Sequence, residues 1–127
     1  MAEQMKIGER LLDYSARVIK LVDALPSTLV GRRIADQLLR SAMSAGANYE
    51  EAQGAESKED FTHKLQIALK ELRESGYWLQ LLVRSGKIPQ KKMAPLIDES
   101  NQLRAMLSKA VATAKGKAKP PAPVENS

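Results

Sequence analysis

Gln37, Ser41, Ser44, Asn48 and Glu51 are polar and step by 4-3-4-3 along the chain. At 100° per residue this spacing sets all five on one side of a helix, with Arg40 at the edge. Ile67, Glu71, Glu74, Trp78 and Leu81 repeat the same steps. Rows of carboxylates, hydroxyls and amides can bind a metal, exchange protons or link helices. A carboxylate di-iron bundle needs Glu-x-x-His on two helices and two further Glu. Here Asp60-x-x-His63 is the near match, and His63 is the single histidine. Ser41 and Ser44 have no base within sequence reach, and helix-interior hydroxyls tend to bond the i−4 carbonyl. The chain contains no Gly-x-x-x-x-Gly-Lys-Ser/Thr loop and no Gly-x-Gly-x-x-Gly, so no phosphate-cradling turn is indicated. Zero Cys excludes a thiolate site and a Cys nucleophile. These residues therefore predict no catalysis, no metal and no cofactor.

The expected role of the rows is structural. Gln37, Arg40, Ser41, Ser44, Asn48, Glu51, Glu71, Glu74 and Trp78 are assigned to a polar network and interface. Glu71 or Glu74 is expected to pair with Arg40, and removing one partner of a buried pair costs about 3–5 kcal/mol. Trp78 and Leu81 lie roughly 140° from the main apolar face of their helix. Left uncovered beside carboxylates they would form an exposed apolar patch, so a second subunit is expected to cover them.

Phosphate binding is the other chemistry within reach, since it needs clustered Lys and Arg but no base-reading motif. The 127 residues carry a formal charge of +5. Arg10, Arg17 and Lys20 share a side of the first helical stretch, and Arg73 and Arg84 share a side of the third. These five are the candidate nucleic-acid-binding residues, with a lysine-bearing tail as auxiliary. A single copy is a weak electrostatic magnet, whereas an oligomeric ring would focus the charge.

Four helical stretches must position these groups. The first spans about Glu3 to Ala24, with Ile7, Leu11, Tyr14, Val18, Leu21 and Leu25 stepping 4-3-4-3-4 as a heptad seam. The second runs from about Ser27 to Gln53, with Ile34, Leu38, Ala45, Tyr49 and Ala52 inward. Gly46 in its middle costs up to about 1 kcal/mol against Ala, which predicts a packing reason for it. The third starts at Ser57, where Ser57 and Asp60 resemble a capping box, and Gly86 suits its C′ position. Phe61, Leu65, Ala68, Leu72, Leu79 and Val83 form its inner face. The fourth begins near Pro89, with Met93, Leu96, Ile97, Ser100, Leu103, Leu107, Val111 and Ala114 inward. Pro95 demands a later start or a kink. From Lys115 to Ser127 the Lys/Pro-rich composition predicts a disordered tail.

The second and third stretches carry a family resemblance. Gln37-Leu38-Leu39-Arg40-Ser41-Ala42-Met43-Ser44-Ala45-Gly46-Ala47-Asn48-Tyr49-Glu50-Glu51-Ala52 resembles the QLxRSxxSxxANxxEA signature of the 23S rRNA intervening sequence proteins. Phe61-x-x-Lys64-Leu65-x-Ile67-Ala68-x-Lys70-Glu71-x-x-Glu74-x-x-Tyr77-Trp78-Leu79 resembles the third helix of that family. The similarity covers roughly residues 5–112. It implies a four-helix bundle assembled as a ring, a pentamer. It also implies distant kinship with the accessory variability determinant of diversity-generating retroelements, a basic barrel that associates with reverse transcriptase and nucleic acid.

The expected protein is all-α, an antiparallel up-down-up-down four-helix bundle over residues 1–114 followed by the tail, 115–127. It is expected to be a cytoplasmic homo-oligomer with no membrane span. Its expected function is that of a non-enzymatic accessory factor holding RNA or DNA by phosphate contacts, beside a partner such as a reverse transcriptase. The alternative is a scaffold that binds other proteins and has no nucleic-acid role.

Overall fold

The computed structural model describes residues 6–116. Four helices follow one another, α1 (Ile7–Asp23), α2 (Leu29–Gln53), α3 (Lys58–Arg84) and α4 (Gln90–Ala114). Among the described residues there is no strand. The tail expectation falls mostly outside them: Lys115 caps α4, Gly116 follows, and residues 117–127 lie outside the described residues.

Local chemistry sets the helix ends. Thr28 Oγ1 accepts from the Gly31 amide at 3.0 Å, and Ser57 Oγ accepts from the Asp60 amide at 3.0 Å. Each bond satisfies one of the amides that a helix start leaves without a partner. Gly86 closes α3 at φ +77°, and the Lys87 amide reaches back to the Leu82 carbonyl at 2.9 Å. Only Gly enters that left-handed region without a Cβ penalty. Pro89 stands one residue before α4 in extended conformation. The helix does not start later, since it begins at Gln90 and Pro95 lies inside its second turn. Pro95 and Lys91 are both exposed, so the Lys91 carbonyl that loses its partner can bond water.

Around the bundle each helix touches the next, and α1 also touches α4, leaving α1 opposite α3 and α2 opposite α4. Gly8 lies against Tyr49 and Gly46 against Leu11, while Ser15 Oγ donates to the Ala42 carbonyl at 3.2 Å. Partner numbers fall along α2 as they rise along α1, so this pair is antiparallel. Arg40 against Glu71 and Glu51 against Lys64 give the same result for α2 and α3.

The core follows the seams. Leu11, Tyr14 and Val18 meet Leu38, Ala42, Ala45, Leu72, Leu79, Leu82, Leu103 and Leu107, all at 1% exposure or less. Each fully buried leucine contributes roughly 1.5–3 kcal/mol. A smaller cluster of Ala52, Leu65 and Val111, with Phe61 and Ala114 at its edge, joins α2, α3 and α4 at one end of the bundle. The packing reason expected for Gly46 is absent. A Cβ there would meet nothing nearer than the Leu11 Cβ at 3.8 Å, an ordinary contact.

Among the described residues, no helix is long and apolar enough to cross a membrane.

Candidate nucleic-acid interface

The polar row of α2 faces α3. Arg40 donates to Gln37 Oε1 at 3.2 Å and to Glu71 Oε1 at 3.1 Å, and it also binds Glu74. Glu74 accepts from Trp78 Nε1 at 3.0 Å. The indole N–H, and then the Arg40 guanidinium, hold the Glu74 carboxyl below its ordinary value. Ser41 Oγ donates to the Gln37 carbonyl at 2.8 Å. Asn48 Nδ2 donates to the Ser44 carbonyl at 2.9 Å and to its hydroxyl at 3.1 Å. Lys64 Nζ donates to Glu51 at 2.8 Å.

Two details differ from expectation. The Arg40 side chain is 46% exposed, so its ion pairs are surface pairs worth about 0–1 kcal/mol and not the larger figure for buried ones. Trp78 and Leu81 pack against the core of their own bundle. Trp78 borders a shallow pocket with Arg33, Ile34, Asp36 and Gln37 of α2. Their own bundle therefore covers part of both side chains.

The basic candidates do not form one patch. Arg10 does not stand ready for phosphate. Its guanidinium donates to both Glu99 oxygens, at 2.9 and 2.7 Å, and to Gln102 Oε1 at 2.9 Å. It ties α1 to α4, and its hydrogen bonds hold the Glu99 carboxyl below the ordinary value. Arg17 is half-buried, and its charge also favours ionised Glu99. Lys20 is exposed on α1, and Arg73 and Arg84 are exposed on α3. Since α4 lies between α1 and α3, the α1 and α3 sets stand on different flanks.

The α3 set has a different neighbour. Arg73 meets Arg104 across a groove of about 410 Å³ between α3 and α4, lined also by Gly76, Tyr77, Gln80, Ile97, Ser100 and Asn101. No carboxylate lines it. Among the described residues, neither Arg73 nor Arg104 has an acidic side chain within ion-pair distance. Arg104 makes one long contact, 3.5 Å, to Asn101 Oδ1. At the groove floor, a Cβ on Gly76 would lie 3.1 Å from Ser100 Oγ, so the glycine lets α4 come close. Among the described residues, no group of three or more His, Asp or Glu could hold a metal ion.

Residues 3–109 match the sequence model of the 23S rRNA-intervening sequence proteins. The chain belongs to this family. The crystal structure of a protein of unknown function from the S23 ribosomal protein family of Bacteroides thetaiotaomicron is similar, with 33% identity and a TM-score of 0.75. The likeness covers 84% of this chain and 98% of that one. The comparison with curated proteins gave no match. The family and the solved neighbour thus establish the bundle and leave the chemistry to the residues themselves.

Sequence reasoning missed Arg104, Asn101 and Glu99. Ile97, Asn101 and Arg104 step 4-3, so their shared side was legible from spacing. Nothing local linked Glu99 to Arg10, which is 89 residues away.

Proposed function

We propose that this family member is a cytoplasmic, non-enzymatic accessory factor that binds nucleic acid through phosphate contacts, with the α3–α4 groove as its centre. The observation that carries this reading is the meeting of Arg73 and Arg104 in a groove without a lining carboxylate. Among the described residues these two guanidiniums have no intramolecular ion pair, so they keep their donor forks for phosphate oxygens. Arg84 and Lys70 extend the positive side of α3. The net charge of +5 favours a polyanion as partner. A nucleic-acid enzyme such as a reverse transcriptase fits as the partner that such a factor would serve.

The test is a titration into labelled structured RNA and duplex DNA, followed by anisotropy at low and physiological salt. Binding that weakens steeply with salt is expected, its slope reporting the phosphates neutralised. Arg73→Glu combined with Arg104→Glu should remove binding and leave the helical spectrum intact. Unchanged affinity in that variant overturns the assignment.

One observation favours a second reading, assembly with protein. Leu12 is 73% exposed, Met43 49% and Ile19 44%, and all three belong to the α1–α2 pair. Exposed large apolar side chains on neighbouring helices suit a subunit contact, as in the pentameric ring implied by the family signature. Light scattering would show a multimer that Leu12→Glu with Met43→Glu reduces to monomer; a wild-type monomer rules this reading out.

A further inference from the structure

We propose that the α3–α4 groove takes an unpaired nucleotide of a single strand, its base stacked on Tyr77 and its flanking phosphates on Arg73 and Arg104. This rests on the phosphate-binding reading and adds to it the class of nucleic acid.

The chain has five aromatic side chains, and four of them are buried or half-buried. Tyr77 alone is mostly exposed, at 60%. It lines the same groove as the two guanidiniums, one helical turn along α3 from Arg73. Trp78 braces it edge-to-face, with ring centroids 5.0 Å apart and planes at 78°. A braced ring loses little freedom when a ligand stacks on it, which lowers the cost of binding.

A basic groove with an exposed aromatic is the pattern by which single strands are held. The charges follow the backbone, and the ring accepts any base because every base has a π-face. In a duplex the bases are stacked on one another and closed to Tyr77, while in a single strand they can splay out. The groove volume, about 410 Å³, falls in the range of small-ligand pockets. The side-chain amides of Gln80 and Asn101 offer donors and acceptors for a base edge or a sugar hydroxyl. Gly76 keeps the floor clear beside Ser100.

The experiment compares a labelled single-stranded oligouridylate, its oligothymidylate counterpart and a blunt duplex, all of equal length, by anisotropy at low salt. The expected result is tighter binding of the single strands than of the duplex. Tyr77→Ala should weaken single-strand binding about tenfold or more, whereas Tyr77→Phe retains it and duplex binding does not change. Fluorescence from Trp78, the single tryptophan, should be quenched by the single strand in the wild type and not in Tyr77→Ala. Preference for the RNA strand would point to a contact with the 2′-hydroxyl, and equal binding to a site that reads base and phosphate alone; both support the proposal. If Tyr77→Ala binds single strands as well as the wild type while the double arginine variant binds nothing, the stacking site is wrong and phosphate binding stands. If the wild type binds no probe, both proposals fall.

Discussion

The hydroxyl of Tyr14, wholly enclosed in the bundle, shares a 2.8 Å hydrogen bond with Ser75 Oγ on the opposite helix. Ser75 donates in turn to the Leu72 carbonyl at 2.7 Å, which assigns the Tyr14 proton to Ser75. Burial pushes the phenol pKa up, and the hydrogen bond with Ser75 and the nearby Ser100 hydroxyl oppose that rise. A buried hydroxyl stripped of its partners costs about 1–3 kcal/mol. Ser75→Ala with Ser100→Ala should therefore lower stability by about that amount. Adding Tyr14→Phe to the pair should restore part of it, since no polar atom is then left stranded. A triple variant less stable than the double, in urea unfolding, would contradict this account.

Arg10 and Glu99 form another long-range polar link, and their side chains are only 22% and 18% exposed. Glu99→Gln should cost about 1–2 kcal/mol at pH 7, between the values for exposed and for buried pairs. The pH dependence has a definite sign. The Glu99 carboxyl titrates below its ordinary value in the folded chain, so the folded state favours the ionised form. Its contribution is full above about pH 4.3, the unfolded value. It fades as pH falls through the folded value. The stability gap between wild type and Glu99→Gln should therefore be wide at pH 7 and close in strong acid. A gap of constant size would mean that the ion pair does not contribute.

The glycines give opposite expectations. Gly46→Ala should raise stability by about 0.5–1 kcal/mol, because helix propensity improves and the new methyl finds only ordinary contacts. Gly31→Ala should lower it. A Cβ there would stand 2.9 Å from Thr28 Oγ1 and 3.0 Å from the Pro26 carbonyl, disturbing the cap of α2. Loss of such a cap costs about 1 kcal/mol. Thermal melts of the two variants should move in opposite directions.

Glu74→Ala should cost only about 0.5–1 kcal/mol, since Arg40 keeps Glu71 and is itself half-exposed. High salt should shrink the difference from the wild type. A loss of about 3 kcal/mol or more would mean that the network is enclosed in solution, as it would be within an assembly.

The number of helices, their inner faces and most of their ends were legible in the sequence. Heptad steps such as Leu11–Tyr14–Val18 repeat within one or two turns, and the Ser57 and Gly86 caps act over three or four residues. Such signals need no knowledge of the rest of the chain. The family signature in α2 and α3 was equally local. Which helix each outer flank meets was decided by the tertiary structure alone. Glu71 and Glu74 meet Arg40 of α2, and Trp78 borders a pocket with α2, which spacing alone did not show. In the sequence Arg10 and Arg73 are alike, each an arginine on the basic side of its helix. Yet Arg10 is bound to Glu99 of α4, while Arg73 stands with Arg104 over an open groove. Periodicity gives the direction of a side chain about its own axis. The rotation and offset of one helix against the next come from packing all four seams at once, and they determine which charges are neutralised and which remain for a ligand.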